Sequence, residues 1–388
     1  MACKPLPFFL QKRMKDHYQD RLSQQWRGVH LLRSRAPSTG DVSLCSNDYL
    51  SLCQEPGLRI DANKLFATNI LMSSVFLDDD SLQSAVERAF AEFFRVQNSI
   101  LCPSGWMANA GLIQSIADQN VPVYLDMLAH MSFHDGARLA NAQVHLFAHN
   151  DAAHARKQIH LHGAGIIVVD AVYSTNGSRC PLADFALLAE EHDCILVVDE
   201  SHSAGTHGAE GRGLVNALNL QGRVDFLTVS LAKAFAGRAG LITCSTDFKD
   251  YFSLESHPTI FSTALMQHDL QWFAQVLPFV AHAEDKRRRL HDIAHRLRDE
   301  LARLGYRVGS GTEQIIAVEI GSESDVQLMQ NSLLRQGIFG SVFCYPATAR
   351  NRALIRLSVH AALTDAELSR TVQAFSRTAQ ETGCLRPA

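Results

Sequence analysis

The sequence predicts an α/β protein with a mostly parallel seven-stranded sheet, followed by a smaller α+β unit. Three observations carry this. From residue 99 onward, short apolar runs alternate with stretches of helical periodicity, the pattern of repeated strand–helix units. The runs are almost continuously apolar, as strands covered on both faces are. Beyond about residue 304 the alternation becomes irregular, which marks a second unit of mixed type.

In order, residues 1–45 read as an N-terminal arm, with a helix from Pro7 to Trp26 and a Gly/Ser/Pro connector through Gly40. Ser46 to Leu52 reads as an extended turn into a large domain, 46–265. Helices are expected near 58–70 and 80–96. Strands are expected at Ser99–Cys102, Val121–Asp126, Ala142–Phe147, Gly165–Ala171, Cys194–Asp199, Phe226–Ser230 and Leu241–Cys244. A helical region from about 266 to 304 begins the last section, 266–388, and links to the small domain. There the pattern reads strand Gln314–Ile320, helix Asp325–Gln336, strands Ser341–Phe343 and Leu354–Ser358, and helix Asp365–Thr382.

Composition narrows the class. The 388 residues are 46% hydrophobic and 20% charged, enough apolar material for a sizeable core. A net charge of -4 without a basic block argues against nucleic acid as a partner. Nine cysteines without a C-x-x-C pair argue against disulfides and zinc, and for a reducing compartment. No apolar run has the length of a membrane span. The N-terminus lacks a signal-peptide core and carries Asp16 and Asp20, so a cytoplasmic protein without a membrane association is expected.

The chemistry gathers at strand ends. The run Cys194–Asp199 ends in a carboxylate, with His202 three residues on. The run ending at Ser230 is followed by Lys233 among small residues. In open parallel sheets ligands bind outside the carboxyl ends of the strands, so a lysine, an aspartate and a histidine converge on one crevice. Pyridoxal phosphate (PLP) chemistry needs that set: a Schiff-base lysine, and an aspartate that keeps the pyridine nitrogen protonated. Either residue alone would be an ordinary strand-end side chain. Ser104-Gly105-Trp106 lies between a strand and a helix, where a helix N-terminus and a close backbone approach suit a phosphate, although a plain helix cap fits equally. Ser230 can add a hydroxyl. The segment Gly163-Ala-Gly165 precedes its strand, so it is not a dinucleotide fingerprint. The pairs His145/His149 and His202/His207 lack the spacing of a metal-binding helix, so no metal is expected.

The stretch Asp199-Glu-Ser-His-Ser-Ala-Gly-Thr-His-Gly208, followed by Gly211-Arg-Gly213 and Lys233, resembles the α-oxoamine synthase family of fold-type I PLP enzymes. The same family is matched at Asn47-Asp-Tyr-Leu50, Ser104 to Asn109, His130 to Gly136, Asp170 to Gly177, Phe261-Ser-Thr-Ala-Leu265 and Ile355-Arg-Leu-Ser358, in family order. The resemblance implies an aspartate-aminotransferase-like fold and a role for each matched residue. His130 would stack on the cofactor ring. His202 would hydrogen-bond the cofactor's phenolic oxygen, with Ser174 near the same atom. Ser262 and Thr263 would reach the phosphate of a neighbouring subunit, making a homodimer with shared active sites. Arg356 would hold the substrate carboxylate, and Asn47 would stand near the substrate.

The sequence also departs from the family. A glycine-rich, arginine-bearing segment of the glycine-using members is replaced by Leu71, Met72, Val75 and Phe76 within Thr68–Asp80. The family's A-x-H-T becomes Ala362-Leu363-Thr364. With Ser73-Ser-Val-Phe-Leu-Asp-Asp-Asp80, Asp-Glu-Ser-His-Ser and Ser341-Val-Phe-Cys-Tyr-Pro-Ala-Thr348, these departures resemble the branch that makes α-hydroxyketone quorum-sensing autoinducers. That branch implies an acyltransferase that condenses a medium- or long-chain acyl-CoA with 2-aminobutyrate or S-adenosylmethionine. Decarboxylation would yield an α-aminoketone. The alternatives are an 8-amino-7-oxononanoate synthase or glycine C-acyltransferase and, from another class, a catalytically silent PLP-fold regulator. Leu71, Met72, Val75 and Phe76 either wall an acyl site or pack beneath the 80–96 helix.

Overall fold

The first described strand, Val42–Leu44 (β1), lies in the arm region just past the expected connector, where the sequence reading places no strand. The computed structural model describes residues 4–59 and 72–383. The helix expected near 58–70 falls almost wholly outside them, as does Leu71. Two compact units emerge: Asn47–Asp292 with His360–Ala362, and Met1–Ser46 with Ile293–Val359 and Leu363–Ala388.

Among the described residues, the larger unit holds seven strands: Asn98–Cys102 (β2), Val123–Asp126 (β3), Val144–Phe147 (β4), Ile166–Asp170 (β5), Ile195–Asp199 (β6), Phe226–Ser230 (β7) and Gly240–Cys244 (β8). Their order is β2-β8-β7-β6-β5-β3-β4. Only β8 runs against its neighbours, pairing antiparallel with β2 and β7; the other pairs are parallel. The α/β fold with a mostly parallel seven-stranded sheet is therefore as expected. Ile100, Val123, Leu125, Ile166, Val168, Val197 and Ile242 are buried against Leu112, Ile113 and Phe133 of the covering helices. Asp170 lies beside Asp199 and Asp199 beside Thr228, so the carboxyl ends of β5 and β6 stand level and β7 runs two residues further, to Ser230.

Two helices over this sheet matter for the site. Ser104 caps the helix Gly105–Ile116 through Met107 N–H. His130 caps the helix Met131–Leu139 by accepting from Ser132 N–H. Gly136 lets these helices touch: a Cβ there would meet Ala110 O and Ile113 Cβ, each at 2.9 Å. The helical region expected over 266–304 is two helices, Gln267–Ala281 and Glu284–Arg303. Pro278 lies inside the first and has no N–H for the ladder. The first helix belongs to the larger unit, so the expected boundary at 265 moves to about 292, inside the second.

The smaller unit adds Ile315–Gly321 (β9), Ile338–Phe343 (β10) and Ala353–Ser358 (β11), giving the sheet β1-β10-β11-β9. The stretch 1–45 belongs to this unit and is not a separate arm. β1 pairs parallel with β10, Val42 beside Ile338, and Arg21 and Trp26 each reach Glu323 at 2.6 Å. The expected helix Pro7–Trp26 is regular only over Phe8–Met14, then widens into π-helical turns at Lys15–Gln19 and Arg21–Gln25. The helix Asp365–Thr382 opens with a full capping box between Thr364 and Glu367.

Candidate active site

The reactive side chains sit where the parallel strands end. β3, β5 and β6 terminate in Asp126, Asp170 and Asp199, all buried. Asp199 Oδ1 accepts from Ser201 N–H at 2.8 Å, and its Oδ2 accepts from Asn109 Nδ2 at 2.9 Å. Ser201 Oγ in turn accepts from Ser230 N–H at 2.7 Å, tying the β6 loop to the end of β7. Beyond Ser230 the chain forms a closed loop from Leu231 to Ala239, with Lys233 half-buried in it. His202 is buried, and its Nδ1 lies 2.6 Å from the hydroxyl of Tyr49. That hydroxyl also bonds Asn47 Oδ1 at 3.2 Å, which brings Asn47 beside His202.

Asp199 and Lys233 both act on the imidazole of His130. His130 is pushed below its usual value by burial first; the Asp199 carboxylate opposes this and the Lys233 ammonium adds to it. Both charges are thus close enough to act on one imidazole. Burial, then the neighbouring Asp199 charge, hold Asp170 well above the ordinary carboxylate range, although it accepts from His130 N–H. Burial also raises Glu200, against hydrogen bonds from Ser203, Val215 and Leu214.

The residues present fit PLP. The first N–H groups of the helix Gly105–Ile116 have no intrahelical acceptor, and Ser104 Oγ occupies only that of Met107. Gly105 lies so close to the end of β7 that a Cβ would meet Ser230 Cβ at 2.6 Å. The helix start and Ser230 thus form one small concavity suited to a phosphate. Trp106 is exposed, with its ring edge-on to His130 at 5.5 Å.

Lys233, Asp199, His130, His202, Asn47, Ser104, Gly105, Trp106, Ser174 and Ser230 all lie in the larger unit. Ser262, whose hydroxyl bonds Pro258 O, and exposed Thr263 lie there too, on a segment joined to residues 72–77 through Ala264 N–H to Met72 O at 2.8 Å. Arg356 belongs to the smaller unit, on β11, with its guanidinium 4.8 Å from the Phe343 ring centre. Met72 and Phe76 are exposed, Phe76 by 70%, so neither packs beneath the helix Leu82–Phe94. The residue reading passes over Tyr49, Asn109 and Ser132. A lone asparagine inside the apolar run Met107–Ile113 was the available signal for Asn109.

This fold and this site define a PLP enzyme, and the chain belongs to the aminotransferase class I and II family, whose model matches residues 39–375, as an α-oxoamine synthase. It is 42% identical over 374 residues to the CAI-1 autoinducer synthase of Vibrio campbellii, covering 96% of this chain and 95% of that one. It is 30% identical to the 8-amino-7-oxononanoate synthase of Trichlorobacter lovleyi, covering 97% and 99%. Among solved structures, a serine palmitoyltransferase from Sphingomonas wittichii matches with a TM-score of 0.89 at 24% identity, over 97% of this chain and all of that one, a likeness of fold.

Proposed function

We propose that this enzyme condenses a medium- or long-chain acyl-CoA with a small amino substrate, 2-aminobutyrate or S-adenosylmethionine. Loss of the substrate carboxylate then leaves an α-aminoketone, the precursor of an α-hydroxyketone autoinducer. The observation that carries this is the 42% identity to an autoinducer synthase along 96% of the chain, against 27–30% to the 8-amino-7-oxononanoate synthases. Exposed Met72 and Phe76, where glycine-using relatives carry a glycine-rich segment, support an apolar acyl chain.

Bound PLP supplies an electron sink for the carbanion formed at the substrate α-carbon. Lys233 Nζ would anchor the cofactor, and its amine, or a group it positions, would take the substrate's α-proton. Asp199 would hold the proton on the pyridine nitrogen. His130 would pack on the ring face, and His202 and Ser174 would hydrogen-bond the phenolic oxygen. Ser104, Gly105, Trp106 and Ser230 would hold the phosphate, joined by Ser262 and Thr263 of a second subunit in a homodimer. Arg356 pairs with the substrate carboxylate, for which a guanidinium fork is suited, and Asn47 orients the substrate.

The test compares kcat/KM for acetyl-, pimeloyl- and decanoyl-CoA at a fixed amine donor. Each methylene buried contributes about 0.8 kcal/mol, so decanoyl-CoA should lead acetyl-CoA by orders of magnitude. A preference for pimeloyl-CoA would instead identify an 8-amino-7-oxononanoate synthase.

A further inference from the structure

We propose that Asn109 is a positioning residue that holds the Asp199 carboxylate and, through Ser132, fixes His130 as the tautomer protonated on Nε2. Four side chains form an unbroken chain across three elements. Asn109 Nδ2 lies 2.9 Å from Asp199 Oδ2 and 3.0 Å from Ser132 Oγ, and Ser132 Oγ lies 2.7 Å from His130 Nδ1. Asn109, Ser132 and Asp199 are each less than a tenth exposed, so water does not substitute for these bonds. The close helix approach at Gly136 brings Asn109 and Ser132 into reach.

The direction of every bond follows from donor counting. A carboxylate only accepts, so Asn109 must turn its NH2 toward Asp199; the flipped amide would set two acceptors against each other. The second N–H of the same group then goes to Ser132 Oγ. That oxygen accepts from Asn109 and keeps its single proton to donate. The backbone N–H of Ser132, which can only donate, already points at His130 Nδ1 at 3.4 Å, so that nitrogen accepts and the Ser132 hydroxyl donates to it as well. A ring nitrogen receiving two donors carries no proton, so the imidazole proton sits on Nε2. Burial and the nearby Lys233 ammonium also favour the uncharged ring.

Two consequences follow for the proposed chemistry, and they rest on the reading of Asp199 and His130 as cofactor residues. With Ser201 N–H on one oxygen and Asn109 on the other, the Asp199 carboxylate cannot rotate without breaking a buried bond. A neutral His130 ring stacked on the cofactor would add no charge to compete with the pyridinium proton.

The test is histidine-selective 15N NMR on the cofactor-free protein, with His130 assigned by loss of its signals in His130→Gln. Wild type should show an unprotonated Nδ1 and a protonated Nε2. Ser132→Ala, which removes one buried hydroxyl and leaves the backbone untouched, should mix the tautomers. Asn109→Asp should attract the Ser132 hydroxyl to the new carboxylate and move the His130 proton toward Nδ1. In the holoenzyme, Asn109→Ala should lower kcat by about tenfold or more, the worth of a charged hydrogen bond, with the acyl-CoA KM unchanged. A wild-type His130 protonated on Nδ1, His130 signals indifferent to Ser132→Ala, or an Asn109→Ala enzyme with wild-type kcat would each overturn the proposal. A wild-type enzyme that transfers no acyl group from any CoA would refute the functional reading alone, since the NMR arms need neither cofactor nor substrate.

Discussion

Gly105→Ala tests the phosphate concavity by filling it. The added methyl would lie 2.6 Å from Ser230 Cβ, 3.0 Å from Ser230 Cα and 3.1 Å from Ser230 Oγ. Carbon atoms rest about 3.5–4.0 Å apart, so the helix start and the end of β7 must separate by roughly 1 Å. Ser230 cannot step aside by a rotamer change, because its Cα and Cβ are the obstacles. Such overpacking costs about 1–3 kcal/mol, offset by about 0.5–1 kcal/mol because alanine suits a helix better than glycine. Folding should therefore lose ~0–2.5 kcal/mol, a fall of a few degrees in Tm. Cofactor affinity should suffer more. The same displacement withdraws first-turn N–H groups from the phosphate, and one lost charge-assisted bond is worth about 1.5–3 kcal/mol, or about 10- to 100-fold in Kd. PLP titration followed by absorbance reads the affinity, and a thermal melt reads the stability. Gly111→Ala is the control: its nearest obstacle is the hydroxyl of Ser256 at 2.7 Å, a side-chain end away from the concavity. A Gly105→Ala protein that binds PLP with wild-type affinity would refute the assignment of the phosphate to this helix start.

Three further outcomes are expected. Lys233→Ala should abolish turnover, and borohydride reduction of the wild-type holoenzyme should label the peptide containing Lys233; a label elsewhere would defeat the assignment. Mixing Lys233→Ala with a Ser262→Ala/Thr263→Ala double variant should restore part of the activity through hybrid dimers, whereas a fully active monomer by size-exclusion and assay would rule out shared sites. His207 is held at a pKa of about 3, first by burial and then by His291 and Arg179. The folded state therefore binds this proton less readily than the unfolded state. The stability it contributes is present above about pH 6.5 and is lost as pH falls toward 3, at up to ~1.4 kcal/mol per pH unit. Thermal melts from pH 7 to 4 should show His207→Phe losing less stability on acidification than wild type; parallel curves would remove His207 as a cause.

The large sheet is legible because most of its strands are buried on both faces and read as largely apolar runs, the edge strand β4 with exposed Leu146 being the exception; Phe226–Ser230 is found as expected. The ends of β3 and β4 are less so, since Val121 and Ala142 lie outside the ladder. β1 is hidden because three residues, Val42-Ser-Leu44, carry no period of their own; pairing with β10 some 300 residues away makes them a strand. The same long-range pairing explains why residues 1–45 fall in the smaller unit. In the site, Lys233, Asp199 and His202 follow apolar runs and announce themselves. Tyr49, Asn109 and Ser132 do not, because their roles depend on which helix or loop faces which strand end. Asp170 is visible as a strand terminus, but its raised proton affinity arises from its burial in the folded sheet and then from its register beside Asp199.

The loop that carries Lys233 has mechanical consequences. Ser230 pairs with Gly240 as β7 and β8 meet. Leu231 N–H bonds Ala239 O at 2.9 Å, Gly237 N–H bonds Leu231 O at 3.1 Å, and Ala236 N–H bonds Lys233 O at 2.9 Å, with Ala236 held at a φ of 48°. The backbone at Lys233 is thus a fixed post, cross-braced from both ends. Travel of Nζ between one bonding partner and the next must come from the torsions of the lysine's own side chain, a motion of picoseconds to nanoseconds for an unconstrained chain. Hydrogen exchange at Leu231, Ala236 and Gly237 should be slow and indifferent to cofactor, the behaviour of a stiff mount for a swinging arm.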